Sequence, residues 1–79
     1  MAHTPHELAE EFPGDADKIH DLKAKDAHFA RLADEYHEIN REIHRLEERV
    51  EAGSEFREEE LRKKRMRLKD EIAAAIAKA

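Results

Sequence analysis

The sequence contains no cysteine and no tryptophan, and it has only two glycines and two prolines among 79 residues. Without cysteine, the chain can form neither a disulfide nor a thiolate metal site. No apolar run approaches the roughly 18 residues that identify a membrane-spanning helix. The first residues also lack the basic and apolar regions of a signal peptide. We therefore expect a cytoplasmic protein that does not enter a membrane.

Few turn-forming residues and many charges point to long helices. Charged residues make up 44% of the chain and apolar residues 39%, and this balance is typical of solvated helices or coiled coils. We expect an all-α fold, an antiparallel, coiled-coil-like helical hairpin in one small domain over residues 1–79. Its predicted parts are an N-terminal helical segment over 1–24, a long helix over 27–52 and a second hairpin helix over 55–77.

The charges are unevenly distributed, although the formal net charge is only −5. Residues 1–53 carry 14 acidic and 7 basic side chains, whereas residues 54–79 carry 6 acidic and 8 basic ones. Opposite signs on the two parts favour folding of one part against the other, or head-to-tail pairing of two copies.

The strongest pattern is a run of apolar residues at alternating steps of three and four. This spacing predicts a helix whose apolar seam is covered by another helix, because it averages about 3.5 residues per turn. The residues of this seam are Phe29, Leu32, Tyr36, Ile39, Ile43, Leu46 and Val50.

A second apolar stripe follows a predicted turn at Gly53-Ser54, where glycine can end one helix and serine can begin the next. A turn this short predicts an antiparallel pair of helices. The two helices leave one side of each seam open, so we expect self-association or docking of residues 1–24 over the hairpin. The stripe comprises Leu61, Leu68, Ile72 and Ile76, with Arg65 at a position where the seam requires an apolar residue.

Three signals divide the N-terminal segment. Thr4-Pro5-His6-Glu7 has the pattern of a capping box with proline in the first helical position. Pro13-Gly14 predicts the end of that short helix. Asp15 or Asp17 can begin a second helix, and Asp26 can cap the long helix after a break near residues 24–27.

Two groups of residues, in a fixed order, resemble a known family. They are His28-Phe29-Ala30-Arg31-Leu32 with Glu35-Tyr36-His37, Ile39-Asn40 and Ile43, and Arg65 with Leu68-Lys69-Asp70-Glu71-Ile72. Their order and spacing resemble those of the YdcH family, short bacterial proteins of unknown function that are similar in style to SlyX-like coiled-coil proteins. The resemblance implies a cytosolic helical hairpin, and it implies no reaction and no catalytic residue.

Arg65 has two interpretations. In the structural one it lies over Ile43 and bonds Glu47 or Asn40, because a polar residue in an apolar seam commonly fixes the register of the helices. In the functional one the stretch around Arg65 is a docking epitope for another protein. In both interpretations we expect Lys69 and Asp70 to point outward.

Six of the eight residues from Arg62 to Lys69 are basic. Such a strip can bind the phosphates of RNA or DNA. The acidity of the whole chain and the lack of interleaved aromatic residues favour instead a solvated face that offsets neighbouring glutamates. The residues of this possible docking or phosphate strip are Arg62, Lys63, Arg67, Lys69 and Asp70, and the glutamates are Glu35, Glu42, Glu47 and Glu48.

The histidines do not predict a metal site. His37 and His44 are seven residues apart, whereas helical zinc ligands are often at i and i+4. We expect no metal, no cofactor and no enzymatic activity. The leading hypothesis is a non-enzymatic helical hairpin that associates with itself or with another cytosolic protein. The alternative is a nucleic-acid accessory protein that binds phosphates through the basic strip.

Overall fold

The computed structural model describes residues 6–48 and 54–79. Of these residues 88% are helical and none lies in a strand, which confirms the all-α fold class. The elements are α1 (Leu8–Glu11), α2 (Ala16–Lys25), α3 (Ala27–Glu48) and α4 (Ser54–Lys78).

Helices α3 and α4 form the main interface of the molecule. They are antiparallel, because Arg62 contacts Glu47 while Arg65, one turn later, contacts Asn40, which lies earlier in α3. Helix α2 packs against α3. The N-terminal segment therefore docks on the hairpin of its own chain in this structure.

The start of α3 agrees with the sequence. Asp26 has an extended backbone, which interrupts the helix after Lys25. Its Oδ1 accepts hydrogen bonds from the backbone N–H groups of His28 at 2.9 Å and Phe29 at 3.2 Å. Such bonds satisfy N–H groups that have no partner in the first turn of a helix. The predicted break and the predicted Asp26 cap are confirmed.

The core is concentrated at one end of the hairpin, which we call the base. Phe29 and Ile72 are fully buried, and Ile19 of α2 and Leu8 of α1 join the same cluster. At the opposite end, the tip, Leu46 and Leu61 are only half-buried. The complete buried cluster comprises Leu8, Ile19, Phe29, Leu32, Ala33, Tyr36, Ile39, Ile43, Leu68, Ile72 and Ile76.

The limits of the hairpin helices differ slightly from the prediction. Helix α3 begins at residue 27 as predicted, whereas its predicted end at 52, together with Val50 and Gly53, lies outside the described residues. Helix α4 extends one residue beyond the predicted range 55–77 at each end. The alanine-rich C-terminal part of α4 favours this continuation because alanine is the best helix former.

The N-terminal helix begins later than the capping-box pattern predicts. Thr4 and Pro5 lie outside the described residues, but His6 has φ of 63° and Glu7 is extended, so helical structure begins only at Leu8. The prediction was wrong because the turn at His6 places its carbonyl against a distant side chain in α3. Asp15 precedes α2 but makes no side-chain capping bond.

Candidate functional site

Residues 6–12, which we call the strap, are fastened to the hairpin by three polar contacts. The Tyr36 hydroxyl donates to the backbone carbonyl of His6 at 2.6 Å. Lys69 Nζ of α4 donates to Glu11 Oε1 at 2.8 Å. The third contact is between His37 Nδ1 of α3 and Glu7 Oε2, at 3.1 Å. Together the contacts attach the strap to both hairpin helices.

Burial and neighbouring charges shift the pKa values of Tyr36 and Glu11, two groups in these contacts that can lose a proton. Tyr36 is 1% exposed, and burial, assisted by the nearby Glu11 carboxylate, raises its pKa to about 12. The hydrogen bond from Lys69 lowers the pKa of Glu11, although partial burial opposes the change. A lowered pKa means that the Glu11 charge stabilises the fold above the ordinary glutamate pKa. This stabilisation is lost as the pH falls through the lowered value.

Lys69 does not point freely into solvent as the sequence led us to expect, because it is bonded to Glu11. It is half-buried and its ammonium group faces Glu11, whereas Asp70 is exposed. The expectation was wrong for Lys69 because the strap brings a carboxylate to this side of α4. Fifty-eight positions separate the two residues, so no local pattern could indicate their contact.

A polar pair crosses the apolar seam near its middle. Arg65 Nη1 donates to Asn40 Oδ1 at 2.8 Å, and Asn40 is only 1% exposed. Of the two partners considered for Arg65, the structure brings Asn40 to it, and Glu47 bonds Arg62 instead. A buried amide oxygen needs a donor, so this contact is possible only when the two helices are correctly aligned. The register role of Arg65 stays a prediction.

Much of the basic strip is bonded to glutamates. Arg62 Nη2 lies 2.7 Å from Glu47 Oε2 and 3.1 Å from Glu58 Oε2. The hydrogen bond with Glu47 raises the pKa of the Arg62 guanidinium. Outside the strip, Arg57 donates to Glu42. The structure therefore brings two of the four expected glutamates, Glu42 and Glu47, to arginines of α4.

Three basic residues between Arg62 and Lys69 face solvent. Lys63 lies 4.0 Å from Glu59, at the limit of an ion pair. Lys64 and Arg67 are exposed, and neither has an ion-pair partner within residues 6–48 and 54–79. Glu35 is exposed, and Glu48 pairs with His44 rather than with the strip. Only part of the strip is available to an external anion.

The described histidines form pairs rather than a metal cluster. His37 contacts Glu7 and His44 contacts Glu48, whereas His6 lies 3.6 Å from Glu11. Within the described parts of the chain, no three histidine, aspartate or glutamate side chains converge on a point suitable for a metal ion. Likewise, no helix in those parts is both long and apolar enough to span a membrane.

A family model for proteins of unknown function, DUF465, matches residues 29–76. The chain belongs to the DUF465 family. The DUF465 region spans most of α3 and α4, and therefore contains the hairpin seam and the Asn40–Arg65 pair, whereas α1 and α2 lie outside it. The resemblance to the YdcH family is compatible with this membership. No curated protein and no solved structure matches the chain.

Sequence reasoning missed two large apolar side chains that are exposed. Phe56 is 73% exposed and Met66 is 64% exposed, both on α4. The signal was present, because neither residue falls on the stripe that contains Leu61, Leu68 and Ile72. The contacts of the strap were also missed, although the acidic strap and the basic α4 have opposite charges.

The Tyr36 environment predicts a measurable alkaline transition. Tyr36 is the only tyrosine and the chain has no tryptophan, so phenolate absorbance reports on one group. In the folded chain the Tyr36 hydroxyl should ionise with a pKa of about 12. In the unfolded chain the same hydroxyl should have a pKa of about 10. Deprotonation therefore favours unfolding, and the free energy of unfolding should fall as the pH rises between these values.

Tyr36→Phe provides the control, because it retains the ring but cannot ionise. Its stability should be lower at neutral pH by about 1 kcal/mol, the usual contribution of one hydrogen bond. Its stability should lack the tyrosine-dependent alkaline decline. A Tyr36 absorbance midpoint near that of an exposed tyrosine would contradict the buried hydrogen bond to His6.

The Asn40–Arg65 pair should be energetically coupled. Replacing both residues with leucine should cost less than the sum of the two single replacements by about 1–3 kcal/mol, because either single replacement already removes the contact between the two side chains. Urea unfolding of the wild type, both single variants and the double variant gives this coupling energy.

Arg62 and Glu47 form the matched control pair, since their contact is of similar length but more exposed. The corresponding coupling energy should be below about 1 kcal/mol. Equal coupling energies in the two pairs would show that the burial of Asn40 does not strengthen its interaction with Arg65.

Proposed function

We propose that the chain is a non-enzymatic, cytoplasmic protein-interaction module that binds a second copy of itself through the tip of its hairpin. The observation that carries this proposal is the exposure of apolar side chains at the tip. Phe56, near the start of α4, is 73% exposed, and Leu46 and Leu61 are half-buried. The base of the same hairpin is covered by residues of the chain itself.

Covering the tip would supply the driving force for association. Full burial of one phenylalanine side chain contributes about 1.5–3 kcal/mol, and a symmetric contact would use the same residue twice. The helices at the tip have no covering segment among the described residues, whereas α2 packs on α3 near the base. A second copy would bring apolar surface to this end of the hairpin.

Charges near the tip are compatible with a two-fold contact. Helix α3 presents Glu42 and Glu47, while α4 presents Arg57 and Arg62. These four side chains pair within one chain, so a second copy would meet a rim whose charges are already balanced. Such a rim would not repel a second copy, and an exchange of partners between copies would favour one orientation more than it would increase affinity.

The titratable groups with shifted pKa values support a structural role rather than catalysis. Glu11 is bonded to Lys69, Arg62 to Glu47, and the Tyr36 hydroxyl to a backbone carbonyl. Each shift has an internal cause in burial or a bonded neighbour. Structural ion pairs and buried hydroxyl groups perturb pKa values without any reaction.

The nucleic-acid hypothesis has weaker support. Arg62 and Lys69 are already bonded to carboxylates, so a phosphate would have to displace those partners. Lys63, Lys64 and Arg67 remain exposed, but three such residues give few phosphate contacts. Binding through them would decrease steeply as the salt concentration rises, whereas an apolar interface would change little.

The molar mass by light scattering during size exclusion tests self-association. We expect the wild type to form a dimer whose fraction rises with protein concentration and persists at high salt. Phe56→Glu should shift the protein to monomer, because it places a charge in the proposed interface. Met66→Glu is the matched control, since Met66 is similarly exposed on the same helix, and it should leave the dimer intact.

A monomeric wild type at every concentration would contradict self-association. An equal effect of Phe56→Glu and Met66→Glu would contradict the assignment of the interface to the tip. A gel shift with single-stranded RNA tests the alternative function. Salt-sensitive binding that is lost in Arg67→Glu would favour the nucleic-acid hypothesis.

A further inference from the structure

We propose that the groove under the strap is a docking site for an acidic amphipathic helix of another protein, and that the strap occupies it as an internal competitor. This site lies away from the tip, so the inference does not depend on self-association. It rests on the charge of the groove, the matching charge of the strap and the poor local structure of the strap.

The groove presents positive groups beside an apolar floor. Lys69 and Arg65 of α4 lie on one side of the strap with Tyr36. On the other side, Ile19 and His37 line the space next to Leu8. Asp34 and Lys23 also border that side and carry opposite charges. The fixed positive charges therefore lie towards α4.

The strap carries acidic and apolar side chains that complement the basic and apolar groups of the groove. Its seven residues, 6–12, include three glutamates and no lysine or arginine. Leu8 is buried in the core cluster, and Phe12 packs against that cluster. Glu7 and Glu11 bond His37 and Lys69. The ligand chemistry that fits the groove is thus a helix with an apolar side chain and flanking carboxylates.

The strap itself is a poor occupant of this groove. Helix α1 has four residues, far fewer than an isolated helix needs to be stable. Glu7, at its N-terminus, makes no side-chain capping bond. His6 has φ of 63°, a conformation that is uncommon for residues other than glycine. A longer helix could present the same side chains without this turn.

Competition within the chain has a direct consequence for binding. An external helix can enter only when the strap has left, so its apparent affinity is reduced by the fraction of molecules with an open groove. Weakening the strap should therefore increase the affinity for an external helix. If the strap were only a structural element, its loss would destabilise the chain without creating a binding site.

The test uses a fluorescent peptide that carries residues 6–12 followed by an alanine-rich helical extension. Its binding to the full chain is measured by fluorescence anisotropy. In the Leu8→Ala/Glu11→Gln variant, the groove is open more often, because the strap has lost its apolar anchor and its contact with Lys69. This variant should bind the peptide at least about tenfold more tightly than the wild type does.

The charge contact provides the specificity control. Lys69→Glu, added to the same variant, should weaken binding by about tenfold, the scale of one charge-assisted contact. A peptide with Glu11→Lys should recover the affinity for the Lys69→Glu protein. Lys64→Glu, on the exposed face of α4, should have little effect.

Three results would overturn the proposal. One is the absence of saturable binding to the weakened variant while circular dichroism shows intact helices. Another is binding that is insensitive to Lys69→Glu. The third is dimerisation of the weakened variant with exchange of straps, which would identify a second copy as the occupant. If the double variant unfolds, Glu11→Gln alone removes one surface contact and serves in the same measurements.

Discussion

The burial of the α3 seam against α4 is the interaction on which the other features depend. Tyr36, Ile43 and Ile72 are nearly inaccessible to solvent, and they lie on the two faces that the antiparallel arrangement brings together. Apolar burial alone tolerates sliding of one helix along another. We predict that the Asn40–Arg65 bond limits such sliding, because it can form at only one alignment of the two helices. The alignment also places Lys69 where Glu11 can reach it.

The seam itself could be predicted because it has a local cause. Steps of three and four keep Phe29 to Ile43 on one side of a helix, and a free carboxylate at Asp26 can cap the first turn. The sequence limited the partner of Arg65 to Glu47 or Asn40. Which of the two lies within hydrogen-bonding distance depends on side-chain geometry that the sequence does not show. The strap could not be located, because contacts such as that of Tyr36 with His6 join residues 30 positions apart without any repeating pattern.

The two ends of the hairpin differ in how much of their apolar surface is covered by the rest of the chain. At the base, α2 and the strap cover the seam, and Ile19 and Leu8 complete the buried cluster. At the tip, apolar surface of Leu61 and Phe56 remains open to solvent. Association can cover apolar surface that the described residues leave exposed. The proposal of a second copy at the tip rests on this difference between the two ends.

Amide hydrogen exchange of the wild type at low and high protein concentration tests this account most directly. Exchange reports local opening, and a partner that binds only the native surface slows opening near its contact. If a second copy covers the tip, amides in residues 44–48 and 54–61 should exchange more slowly as the protein concentration rises. Amides in residues 29–43 should exchange at the same rate at both concentrations. Protection of the tip that does not depend on concentration would contradict the claim that a second copy covers it.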